Sequence, residues 1–115
     1  MEISFVLSAD ELFTLMSASP ECTKAGRNFS DQALIGAKIC DLSGLVDKKL
    51  ARRAEDELAL SPVMRMLTDT LTGAESAVPC DNGWEIRSPW ITVRCEIYPY
   101  REGHFRIIPM KEGCL

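Results

Sequence analysis

The hydrophobic period of the chain changes at Ala77. From there apolar residues recur at every second position, most clearly where Ile91, Val93, Cys95 and Ile97 alternate with Thr92, Arg94, Glu96 and Tyr98. A period of two puts the two sets on opposite faces of a pleated strand, so this run predicts a half-buried strand. Asp81-Asn82-Gly83 predicts a hairpin turn ahead of it, because asparagine and glycine tolerate positive φ. Trp84 and Ile86 alternate with Glu85 and Arg87, and Ser88-Pro89 breaks the pattern. Pro99 ends the long strand, Arg101-Glu102-Gly103 turns, and Phe105, Ile107 and Pro109 alternate with His104, Arg106 and Ile108. Strands joined by such short turns form an antiparallel meander, and one face of it must be covered by something apolar.

The residues before Ala77 supply that cover. Residues 2–7 predict a strand with Ile3, Phe5 and Leu7 on one face; Val6 on the other makes it read as an interior strand. It is expected to join the meander, since alone it leaves its backbone groups unpaired. Ser8-Ala9-Asp10-Glu11 is a capping box, which opens a helix through Leu12, Phe13, Leu15 and Met16 that ends by Ser19-Pro20. Leu7 is placed to staple over the first turn onto Leu12. Residues 20–30 show no period and read as a loop. Ser30 or Asp31 then caps a second helix with the stripe Leu34, Ile35, Ile39 and Leu42, closed by a left-handed Gly44. Asp47 caps a third helix over 48–58, in which Leu50, Ala54 and Leu58 form a narrow stripe.

The rest of that third segment is charge. Arg52–Asp56 and Arg53–Glu57 stand four apart and are placed to pair, but cations precede anions, against the helix dipole. Its charged side is a docking face on one reading and a solvated face on the other. Ser61-Pro62 is a strong helix start, followed by the stripe Val63, Leu67, Leu71 and Ala74, flanked by Met64 and Met66. The 115 residues therefore predict a single α+β domain over 1–115. Its antiparallel sheet is built from the N-terminal strand and the C-terminal meander, with about four helices on one face. Leu67, Leu71, Ile91, Val93 and Ile97 are the expected centre of the core.

Composition bears on function mainly by exclusion. With 46% apolar and 26% charged residues the chain has the make-up of a folded domain rather than a disordered one. A net charge of −4 and a pI near 5.0 oppose nucleic-acid binding, which uses a basic surface. No basic, apolar leader and no membrane-length apolar run occurs, so the expected location is the cytoplasm, with no membrane partner. The five cysteines, Cys22, Cys40, Cys80, Cys95 and Cys114, have no zinc-type spacing, and His104 is the one histidine. They read as reduced thiols, and no metal or other cofactor is expected. Neither a glycine-rich phosphate loop nor a nucleophile elbow is present, so no catalytic residue is assigned and the chain reads as non-enzymatic.

The aromatics are what remains. Trp84 and Phe105 fall on the core side of the period. Trp90, Tyr98 and Tyr100 fall on the polar side or beside a proline, and they are the candidate partner-binding residues. Aromatics with arginines on a sheet are also a feature of single-strand RNA binders, but the acidic total and the mixed signs of Glu85, Arg87, Arg94, Glu96 and Arg106 count against that use.

Three features in order carry a family resemblance. The strand is followed by Ser8-Ala9-Asp10-Glu11-Leu12-Phe13-Thr14-Leu15. A helix ends in Leu42-Ser43-Gly44-Leu45-Val46-Asp47. Leu58-Ala59-Leu60-Ser61-Pro62-Val63-Met64 then leads into a helix and a meander. This order resembles one half of the EspG-like chaperones of type VII (ESX) secretion. The resemblance implies a pseudo-duplicated α+β fold that binds secreted helical hairpins in the cytosol. At half that length, the chain would restore the full shape as a homodimer. The expected contact is edge-on, because open sheet edges invite pairing, with Trp90 and Tyr98 at its rim. The functional expectation is a protein-binding adaptor or chaperone-like domain. The alternatives are a small-ligand-binding domain, or a winged-helix-like regulator working through the charged third helix and the terminal hairpin.

Overall fold

The computed structural model describes residues 4–19, 21–55, 57–89 and 91–110. Ile3, Pro20, Asp56, Trp90 and Cys114, which figure in the expectations above, lie outside them. The elements run β1 (Phe5–Ser8), α1 (Ala9–Ser17), α2 (Lys24–Ala33), α3 (Ser43–Asp47), β2 (Ala51–Ala54) and β3 (Glu57–Leu60). They continue with α4 (Pro62–Thr72), β4 (Ser76–Cys80), β5 (Gly83–Arg87), β6 (Thr92–Ile97) and β7 (His104–Met110). The class is α+β, with a five-stranded antiparallel sheet in the order β1-β7-β6-β5-β4, four helices, and a separate β2-β3 hairpin.

The meander forms for the reason its period gives. Val93, Cys95, Ile86 and Ile107 are fully buried on the helix side, where Leu67, Leu71, Met64 and Leu12 meet them. Trp84 packs edge-on against Phe29, with ring centroids 5.7 Å apart. The opposite face carries Glu85, Arg87, Arg94, Glu96 and Arg106. Glu85 stands across from Arg94 and Glu96 across from Arg106, as cross-strand pairing favours. Arg87–Glu85 and Arg94–Glu96 contacts at 3.8 Å run along the strands. Ile108 interrupts this face and is buried.

Local signals formed where both partners lie within one turn. Ser8 Oγ accepts from Glu11 N–H at 3.0 Å, and Glu11 Oε1 accepts from Ser8 N–H at 2.8 Å. Leu7 and Leu12 are both buried beside that cap. Ser61 Oγ likewise accepts from Met64 N–H at 3.2 Å, with Pro62 opening α4.

Several expectations are corrected. β1 is an edge strand, not an interior one; its second face is only partly covered. The second helix begins at Lys24, not after Ser30, because Thr23 caps it: Thr23 Oγ1 accepts from Gly26 N–H and donates to Ala74 O at 2.6 Å. Gly36, with φ 81°, follows the end of that helix. The stripe Leu34, Ile35, Ile39 and Leu42 therefore lies in a connection rather than a helix. Lys38 N–H donates to Asp10 Oδ1 and Cys40 N–H to Thr14 Oγ1, each at 2.9 Å, which ties this connection to α1. Leu34 is buried, but Ile35 and Ile39 are 84% and 65% exposed.

The charged third helix over 48–58 is replaced by the β2-β3 hairpin, and Asp47 ends α3 instead of capping a helix. A charge order opposed to the dipole and a single narrow stripe give a helix there little support. Pairing Ala51 with Leu60 and Arg53 with Leu58 lets Leu50 and Ala51 reach the core. Gly44 lies inside α3 and has no left-handed conformation. In the fourth helix Met64, not Val63, is the buried member of the first turn. Ile97, the last residue of β6, is 63% exposed, and Ile91, just before the strand, is half-buried, so neither belongs to the centre of the core.

Gly83 is explained differently from its expected role. Positive φ among the described residues is confined to Lys49, Glu55, Gly36 and Gly103, so the turn at Asp81-Asn82 needs none. A Cβ on Gly83 would run into the Cys95 carbonyl of β6. The glycine is there because two strands approach closely.

Candidate protein-binding surface

The β6–β7 connection sets exposed apolar and aromatic groups side by side at one end of the sheet. Tyr98 N–H donates to His104 O at 3.0 Å and closes the hairpin. Ala9 N–H donates to Gly103 O at 2.8 Å, and Ile97 N–H donates to Asn82 O at 2.7 Å. These bonds tie the connection to the start of α1 and to the neighbouring turn, so this end of the sheet is a firm platform. On it Tyr98 is half-buried and Tyr100 is 85% exposed. Their rings meet edge-to-face at 5.5 Å, which sets Tyr98 as a support for Tyr100. Ile97 and Pro99 extend the exposed apolar end. The structure thus brings Tyr98 and Tyr100 together, while Trp90 lies outside the described residues. Ile97 escapes a sequence reading because its parity matches that of buried Val93 and Cys95.

The sheet edges are poor docking sites by comparison. The bonds Ser88 N–H to Ile91 O and Ile97 N–H to Asn82 O set the hydrogen-bonding phase of β5 against β6. By the antiparallel alternation, Pro79 across from Trp84 then has its nitrogen turned away from β5, toward the open side of β4. Proline has no N–H to offer there. At the other edge, β1 is four residues long and Ser8 N–H is taken by Glu11.

A second concave surface lies where the β2-β3 hairpin meets the start of α4. It is a groove of about 740 Å³ whose lining includes Lys49, Arg52, Arg65 and Glu57, with Leu58 and Leu60 in its wall. Arg65 was not legible as part of any charged face, because it comes from a separate segment. A further cleft, of about 650 Å³, is lined by Cys22, Arg27, Thr23 and Thr72. Burial pushes the Cys22 thiol up from its ordinary value; Arg27 pulls it down and Asp31 pushes it up. That thiol is therefore held protonated rather than activated. His104 Nδ1 lies 3.0 Å from Glu102 O, within its own hairpin. Among the described residues no group of three or more His, Cys, Asp or Glu side chains converges as a metal site. No helix among them is long and apolar enough to cross a membrane.

No family model, no curated protein and no solved structure matches the chain.

Proposed function

We propose that the chain is a non-enzymatic protein-binding domain that docks its partner through the aromatic end of the sheet. The observation that carries this reading is the pair Tyr98–Tyr100, in which one half-buried ring supports one almost fully exposed ring beside exposed Ile97. Large rigid aromatics held in the open on a firm base are what interface anchors require, since little side-chain freedom is lost on binding. The partner class that the resemblance to the EspG-like chaperones implies is a secreted helical hairpin, whose apolar side would cover these rings. A homodimer would use the same end in preference to the blunted edges. The winged-helix reading loses one of its two working parts, because β2 and β3 pair where the charged third helix was expected.

Site-specific photocrosslinking tests the reading in the cell that makes the protein. A photoreactive amino acid at position 100 is expected to give a discrete protein adduct, and the same group at Arg87 on the charged face is not. No adduct at position 100, or the same adducts at both positions, overturns it.

A further inference from the structure

The groove between the β2-β3 hairpin and α4 holds three cations whose side chains make neither ion pair nor hydrogen bond among the described residues: Lys49, Arg52 and Arg65. Against them stands the carboxylate of Glu57. The lining is thus net positive in a chain of net charge −4. Such a concentration of one sign beside an apolar wall strengthens attraction for an opposite charge, because Ala59 and Pro62 displace water from one side.

The backbone adds an independent observation. Lys49 and Glu55 are the non-glycine residues with positive φ among those described, at 62° and 57°, and they flank β2 on either side. A left-handed backbone at such residues is strained, and glycine would relieve it. At position 49 the strain is retained and a cation lines the groove.

We propose that this groove binds an acidic, extended peptide segment of another protein. The cations would take its carboxylates, and Ala54 and Ala59, which share a hairpin face with Arg52, together with Pro62, would take the apolar side chains alternating with them. The hairpin is a two-stranded sheet whose outer edges have no strand partner among the described residues, so main-chain groups are also available to an extended ligand. A peptide fits better than a nucleic acid. The apolar part of the lining has no use for a sugar-phosphate backbone, whereas a peptide brings apolar side chains to it. This surface is separate from the aromatic end and does not depend on it.

The test is fluorescence anisotropy of the full chain with a labelled peptide alternating glutamate and leucine. About eight residues, at roughly 3.3 Å each, suffice to span the hairpin. Saturable binding that weakens with salt is expected, with Arg52→Ala and Arg65→Ala each about tenfold weaker. Lys49→Gly removes a cation while relaxing the backbone, so it should bind more weakly yet melt no lower than the parent. Tyr100→Ala should bind as the parent does, which separates failure here from failure of the aromatic surface. Absence of binding, equal binding of a lysine–leucine peptide, or undiminished binding by both arginine variants overturns the proposal. So does an oligothymidylate that binds as tightly, which would make the groove a nucleic-acid site.

Discussion

Glu11 and Lys48, 37 residues apart, meet with Oε1 at 2.9 Å from Nζ. The same oxygen accepts from Ser8 N–H, so one carboxylate caps α1 and also holds the residue that follows α3. Its side chain is 10% exposed, against 34% for Lys48. Residues that precede the hairpin are thereby tied to the helix layer.

That relationship makes stability depend on acid pH. Burial pushes the Glu11 carboxyl up, but the Ser8 N–H and the Lys48 ammonium more than offset it, and the net shift is downward. A group with a lowered folded value contributes stability that is fully present above its unfolded value and is lost as pH falls through the folded one. Urea midpoints should therefore drop as the pH is lowered below about 4.3, the ordinary glutamate value. In Glu11→Gln that part of the drop should shrink. Glu11→Ala, which leaves the Ser8 N–H and Lys48 without their acceptor, should cost about 1–3 kcal/mol at neutral pH. Identical pH profiles for the parent and Glu11→Gln would contradict the account.

The core assignment separates two residues that share a strong apolar signal. Leu71 is 2% exposed and Ile97 is 63% exposed. Leu71→Ala should lower stability by ~2–5 kcal/mol through lost burial and the cavity left behind. Ile97→Ala should stay within ~0.5 kcal/mol, as surface changes do. Equal losses in chemical denaturation would mean that Ile97 is covered.

The distance over which each decision is made explains how much of this was legible in the sequence. The Ser8–Glu11 box and the Ser61-Pro62 start involve neighbours within one turn, and each formed as read; the 91–97 alternation formed its strand and buried Val93 and Cys95, but it did not carry the burial of Ile91 and Ile97 at the ends. The start of α2 is a local cap, Thr23 Oγ1 to Gly26 N–H, in a run without apolar period; Thr23 is also anchored to Ala74 O, 51 residues away, and no local pattern carries that part. The connection after α2 kept a helical period in its sequence, yet Asp10 and Thr14 take its amides. At the candidate surface, Tyr98 and Tyr100 were legible because polar-side aromatics stand out against a period of two. The groove was not, since Arg65 joins Lys49 and Arg52 only after β2 pairs with β3.

Thiol chemistry should divide along the same lines. Cys95 is fully buried, and burial foremost, with Cys80 and Glu96 adding to it, raises its thiol far above the ordinary range. Cys80 is exposed at the end of β4. Iodoacetamide under native conditions should alkylate Cys80 and spare Cys95, with both modified in denaturant, as peptide mass mapping reads out. Rapid native alkylation of Cys95 would show that the β5–β6 layer opens.

Metal content follows from ligand placement. His104 is engaged within its own hairpin, and among the described residues no three metal-binding side chains converge. A structural zinc site needs four such ligands at about 2.0–2.3 Å. Tag-free protein should therefore carry no stoichiometric zinc by elemental analysis, and stoichiometric zinc that survives dialysis would refute the prediction.

Gly83 offers the sharpest test of the sheet itself. Its Cα lies where a side chain would enter the Cys95 backbone, and that backbone cannot move without opening the pairing of β5 with β6 at Trp84–Cys95. Gly83→Ala gains the entropy that glycine loses on folding, worth about 0.4–1 kcal/mol at an unhindered site. The clash should outweigh this, for a net loss of about 1–3 kcal/mol, comparable to overpacking a core. Asn82→Ala serves as the control, because Asn82 contributes its carbonyl to Ile97 N–H and its side chain makes no hydrogen bond among the described residues. That variant should melt within about 0.5 kcal/mol of the parent. If Gly83→Ala melts at or above the parent, the close approach of the two strands is not there, and the glycine serves the turn.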